Sequence, residues 1–232
     1  MDHVEAPTLK YEDLAGRVEI PLLDPARTDE AQAALLDQAL EYAPAVIVVR
    51  PGDLELAARR LSGSPVILAA VCGYPLGWST TSVKLYEARD LLRRGAREVH
   101  VTLAVAKLQS RHFQHVEMEL IQLAQACHEV GAKLKVIFNL PALDAEQQLV
   151  ACKIAKRSEV DYAQGDWGPV SEAGAELMLR KCPPLVQVTG WAASAEQALQ
   201  QLARGCHRVV LDDWAAVLAA FRAKTAPAPV VT

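Results

Sequence analysis

Short apolar runs alternate with longer amphipathic stretches along almost the whole chain. Eight runs read as strands: RVEIPLL (17–23), AVIVVR (45–50), PVILAAVC (65–72), EVHVTLA (98–104), KLKVIFN (133–139), VDYAQG (160–165), LVQVTG (185–190) and RVVLDD (208–213). β-Branched residues dominate most of them, as expected for strands buried on both faces. Between them the apolar positions recur at helical spacing. TDEAQAALLDQALEYA opens at Thr28, a candidate N-cap, and puts Leu35, Leu36, Ala39 and Leu40 on one face. STTSVKLYEARDLLRRG ends in Gly95, suited to the position just past a helix, and the longest pattern, RHFQHVEMELIQLAQACHEVGA, closes at Gly131. DAEQQLVACKIAKR, SEAGAELMLRKC and SAEQALQQLARG repeat the theme, the last with Ser194 and Gln197 at capping-box spacing.

Eight strands, each followed by a helix, predict an α/β fold of the (β/α)8 TIM-barrel type in a single domain. An open doubly wound sheet is the alternative, but no GxGxxG follows any strand, which argues against its dinucleotide-binding form. The barrel is expected over residues 17–222. Residues 1–16 form a leader with room for a short helix, and 223–232, ending in KTAPAPVVT, a flexible tail, because Pro–Ala alternation cannot hold a helix.

Strand alternation then sorts side chains between the helices and the barrel axis. In the fourth strand Val99, Val101 and Leu103 face the helices, leaving His100 and Thr102 toward the axis; in the fifth, Lys135 and Asn139 point in. Applied throughout, the rule gives an inward polar set of Glu19, Arg50, His100, Lys135, Asn139, Gln164, Gln187 and Asp212. Inward polar groups are costly unless paired, so the set is either a self-satisfied network, such as Glu19 with Lys135 or Arg50, or a ligand site at the C-terminal ends of the strands. Trp78, Trp167 and Trp191 fall in strand-end segments on that side, as a plug for the mouth or an aromatic wall for a ligand.

Composition narrows the partners. The chain is 51% hydrophobic and 22% charged with a net charge of −4 and no basic run, which gives no footprint for nucleic acid. No apolar run reaches membrane-spanning length and the first ten residues lack an apolar signal segment, so a cytoplasmic protein is expected. Cys72, Cys127, Cys152, Cys182 and Cys206 are scattered without a CxxC pair and read as reduced thiols. His112, His115 and His128 sit on the longest helix as surface groups. No metal is expected: His100, Glu19 and Asp212 come from separate strands with no diagnostic spacing.

VCGYPLGWSTTSVKLYEARDLLRRGAREVHV (71–101) resembles the segment after the third strand in the deoxyribose-phosphate aldolase (DeoC) family, through Gly73, Pro75, Leu76, Gly77, Thr80, Thr81, Lys84, Glu87, Ala88, Gly95, Ala96 and Glu98. The likeness extends from about residue 17 to about 213, with KLKVIFN, DYAQGDWG and VQVTGWAAS similar to the family's fifth, sixth and seventh strands. It implies a TIM barrel, no cofactor, and cleavage of 2-deoxyribose 5-phosphate through a lysine imine whose amine is activated by a second lysine and assisted by a carboxylate.

The positions implied to do that work differ here. The imine lysine reads Gln164, its neighbour on the seventh strand Gln187, and the fourth-strand aspartate His100. The Asp–His pair of the first strand reads Glu19–Ile20, and the phosphate-binding serines Asp212–Asp213, which repel a phosphate dianion. The paired glycines of the seventh strand read Gly190–Trp191; Lys135 alone matches an inward lysine, one with a supporting role in the family. Two expectations follow. One is a barrel that has lost imine chemistry and acts as a binding or regulatory homologue, with Glu19, Arg50, Asn139, Gln164, Gln187 and Asp212 around the ligand. The other is an enzyme with relocated chemistry, Lys135 as amine and His100 as base, on a small non-phosphorylated carbonyl or sugar-like compound. A homodimer through outer helices is the assembly such barrels allow, although no apolar stripe beyond the needs of the core marks it.

Overall fold

All eight strand candidates form strands, and each pairs in parallel with the next. They are β1 (Val18–Leu22), β2 (Val46–Val49), β3 (Ile67–Cys72), β4 (Glu98–Thr102), β5 (Lys133–Ile137), β6 (Tyr162–Gln164), β7 (Gln187–Ala192) and β8 (Arg208–Leu211). β8 pairs back onto β1, Val210 opposite Glu19, and closes the barrel. The computed structural model describes residues 10–225. Positions 1–9 of the expected leader and 226–232 of the expected tail lie outside the described residues.

Ten helices occur among the described residues: α1 (Tyr11–Ala15), α2 (Asp29–Glu41), α3 (Leu54–Arg60), α4 (Thr81–Arg93), α5 (Val105–Gln109), α6 (Phe113–His128), α7 (Ala145–Arg157), α8 (Glu172–Lys181), α9 (Ala195–Ala203) and α10 (Trp214–Thr225). Their ends follow the local chemistry. Thr28 Oγ1 accepts from Ala31 N, and Ser194 Oγ from Gln197 N. The expected capping box at Ser194 is shifted by one residue, since Gln197 Oε1 accepts from Ala193 N rather than from Ser194. α1 packs Leu14 and Ala15 into the core and sets Tyr11 against Phe221 of α10 at 6.5 Å.

The main core lies between the strands and the helices. Ile20, Leu22, Val99, Val101, Leu134, Val136 and Phe138 are fully buried there, on the faces that alternation assigns to the helices. A smaller apolar cluster of Leu23, Val46, Val48, Ala69 and Val71 lies on the opposite faces of the first three strands, inside the barrel.

The motif after β3 is built into the scaffold. Gly77 has φ +68°, and a Cβ there would stand 2.1 Å from Leu103 O, so only glycine lets this loop lie on the end of β4. Lys84 of α4 is fully buried and donates to Glu119 Oε1 of α6 at 2.7 Å and to Thr102 O at 3.0 Å. Thr81 Oγ1 donates to the other Glu119 oxygen at 2.9 Å, and Glu87 Oε2 accepts from Gly73 N at 2.8 Å. These matched residues therefore fix the loop and the α4–α6 contact.

Candidate functional site

Eight of the polar side chains that alternation aims at the barrel axis meet there: Glu19, Glu98, His100, Lys135, Tyr162, Gln164, Thr189 and Arg208. All are buried, and they form one connected network. Lys135 Nζ donates to Glu19 Oε2 in a short contact and lies 3.4 Å from Gln164 Oε1. Arg208 Nη1 stands 2.9 Å from both oxygens of Glu98 and 3.3 Å from Glu19 Oε1, while its Nη2 donates to Tyr162 OH at 3.3 Å. The guanidinium also stacks over the Tyr162 ring at 4.5 Å. Gln164 turns its amide nitrogen to Asp166 O at 2.8 Å.

The charges within this group cancel. Burial by itself raises the pKa of Glu98; its hydrogen bond to His100 and the guanidinium of Arg208 outweigh that and hold it at about 2. Burial likewise opposes the charge on Glu19, and Lys135 beside it pulls the carboxyl below its ordinary range. His100 is pushed below its ordinary value by burial and by the nearby Lys135 ammonium, and is neutral at pH 7. Its Nε2 lies 3.2 Å from Glu98 Oε2, so Nε2 carries the proton and Nδ1 keeps a lone pair. Burial also depresses Lys135, against the pull of Glu19 and Glu98. Two carboxylates thus face two cations around a neutral imidazole.

Trp167 roofs this network. Its ring stacks on His100 at 5.9 Å and 24°, meets Tyr74 edge-on at 6.1 Å, and packs against the inner apolar cluster of the first three strands. Four buried side-chain nitrogen or oxygen atoms among the described residues lack a partner, and three of them belong here: His100 Nδ1, Thr102 Oγ1 and Trp167 Nε1. Each unpaired buried group costs about 1–3 kcal/mol, so their concentration on β4 and the ring stacked against His100 marks the site apart from the rest of the core.

Of the residues expected inside, Glu19, His100, Lys135 and Gln164 come together. Three others do not join them. Arg50 is clamped by Asp53 at 2.6 and 3.0 Å and by Asp24 O at 2.8 Å, tying two loops at the rim. Asn139 holds a left-handed turn at φ 55° and ψ 54° after β5, a conformation asparagine tolerates, and Asp212 is exposed beyond β8. Gln187 is a correction. It is the first residue of β7 and exposed, so it lies at the opposite end of the barrel from the mouth; alternation gave its side but not its depth. Thr189 takes the inward place opposite Gln164. Alternation also contained three more residues left out of the expected set: Glu98 shares the face of His100, Tyr162 that of Gln164, and Arg208 that of Asp212.

No family model matches the chain. Among curated proteins it is 31% identical over 206 residues to a deoxyribose-phosphate aldolase from Thermococcus gammatolerans, covering 85% of this chain and 91% of that one. The corresponding enzyme of Streptococcus sanguinis is 32% identical over 195 residues, covering 81% and 87%. The structure superimposes on the tetrameric deoxyribose phosphate aldolase of Aeropyrum pernix with a TM-score of 0.82 at 25% identity, over 93% of both chains. With identity at this level sustained around the whole barrel, the chain belongs to the deoxyribose-phosphate aldolase family.

Proposed function

We propose that this barrel no longer carries out imine-based cleavage of deoxyribose 5-phosphate and serves as a ligand-binding, regulatory member of its family. One observation carries this: the sixth-strand position that the resemblance assigns to the imine lysine holds Gln164, and its amide is engaged on both sides, by Lys135 and by Asp166 O. A carboxamide cannot condense with a carbonyl. Of the two fully buried lysines, Lys84 is committed to Glu119 between α4 and α6, and Lys135 is held by Glu19 beneath Trp167. The exposed pair Asp212–Asp213 past β8 opposes a phosphate dianion where the resemblance implies serines.

The test is reductive trapping. The protein is incubated with acetaldehyde and cyanoborohydride and its intact mass compared with that of an untreated control, with peptide mapping of any addition. Surface amines add slowly and without preference; the proposal expects no selective adduct inside the barrel. The depression of Lys135 by burial supports the alternative of relocated chemistry, with His100 as base. Selective addition at Lys135 establishes that alternative and overturns the proposal.

A further inference from the structure

The geometry points to Trp167 as a displaceable gate over an interior site for a small neutral hydroxylated molecule with an apolar end. The inference rests on the non-imine, charge-balanced site proposed above, and names what that site takes.

The gate is built into its loop. Trp167 lies between Gly165 and Gly168, and an added Cβ at Gly168 meets nothing within 4 Å. Behind the loop lies a cavity of about 260 Å³, walled by Gly165, Asp166, Gly168 and Val170 on one side and by Trp191 and Gln201 on the other. Gly165 is packed against Val170 and Leu140, so the loop has Gly168 as the open position about which to turn, and space to turn into. The indole does not satisfy what it covers. His100 Nδ1 beneath it, Thr102 Oγ1 two residues further along β4 and its own Nε1 are all unpaired, although His100 and Thr102 are at most 1% exposed. His100 and Thr102 are two residues apart on the inner face of β4, so one molecule reaches both.

Their chemistry defines that molecule. Nδ1 is an acceptor and needs a hydroxyl donor; Thr102 Oγ1 gives or takes a second hydrogen bond. The inner apolar cluster that the indole packs against, which includes Leu23, Val48 and Val71, suits a methyl or methylene group. Glu19, Glu98, Lys135 and Arg208 already balance one another, so a charged ligand finds no free counter-charge beneath the gate.

The test uses the full chain with 15N-labelled tryptophan, the Trp167 indole N–H signal being assigned by its loss in Trp167→Phe. 1,2-Propanediol is the probe; inorganic phosphate and acetate are the charged controls. The expected result is a saturable shift of the Trp167 signal at millimolar diol, as befits so small a ligand, and none with the controls. Trp167→Ala removes the competitor for the site and tightens diol binding, read by calorimetry, while Thr102→Val weakens it about tenfold through one lost hydrogen bond. Retained thermal unfolding of Thr102→Val keeps the comparison valid without relying on the larger deletion. No diol-dependent shift, an equal response to the anions, or weaker diol binding by Trp167→Ala overturns the gate. The two proposals fail separately: an adduct at Lys135 ends the non-imine reading, whereas a Trp167 signal indifferent to the diol ends the gate alone.

Discussion

The guanidinium of Arg208 places one nitrogen 2.9 Å from each carboxylate oxygen of Glu98. This pair, inside a parallel barrel and between β8 and β4, joins strands on opposite sides of the axis. It is half of a balanced quartet whose other half is Lys135 with Glu19. The quartet makes the interior sensitive to proton uptake and to single-residue change.

Acid destabilises the fold in two stages. Glu98 and His100 both have native pKa values below their unfolded ones, 4.5 and 6.5. The unfolded chain therefore binds more protons, and stability falls as the pH is lowered. The His100 contribution is present above pH 6.5 and declines below it. The Glu98 contribution is present above pH 4.5 and is lost down to about 2, amounting to about 3 kcal/mol at most. Urea unfolding measured from pH 7 to pH 4 should show a falling midpoint, and His100→Gln should flatten the part between pH 6.5 and 5.

Breaking the second pair on one side costs more than removing it. Lys135→Met leaves the Glu19 carboxylate buried with only part of its counter-charge and is expected to lose about 3–5 kcal/mol. Adding Glu19→Gln should recover part of that loss. The measurement is a double-mutant cycle by urea denaturation, and strict additivity of the two changes contradicts the coupling.

Gln164→Lys places a second amine close to Lys135, because the amide oxygen it replaces is 3.4 Å from Nζ. Two ammonium groups at that range disfavour each other, so one becomes a neutral nucleophile. Acetaldehyde and cyanoborohydride should then label the peptide containing position 164. Cleavage of deoxyribose 5-phosphate is not expected of this variant, since Asp212 and Asp213 oppose the phosphate. Cleavage gained by this single change would show that the rim is no obstacle.

Gly77→Ala tests the loop rather than the interior. The new methyl group meets Leu103 O at 2.1 Å in a backbone conformation that L side chains avoid. A loss of about 3 kcal/mol or more in unfolding free energy is expected.

The architecture was legible because its cause is local. Alternation between period-2 and period-3.6 apolar patterns marks strands and helices, and the same alternation put Glu19, His100, Lys135 and Gln164 on one inner face. What it lacks is height along the axis. Gln187 and Thr189 share a parity, and only the start of β7 at Gln187 shows which is exposed and which faces Gln164. Arg208 and Glu98 lay in the same pattern. Their significance comes from meeting across the barrel, 110 residues apart in sequence, and no local rule supplies that. The place of Trp167 depends on how one loop folds over the mouth, which the strand pattern leaves open.

Because the inner quartet supplies its own counter-ions, the barrel does not rely on a guest's charge for its integrity. A guest at the mouth would act on an already finished scaffold, because Glu19, Glu98, Lys135 and Arg208 are paired among themselves. Selection can change the identity of the guest without first having to repair the host.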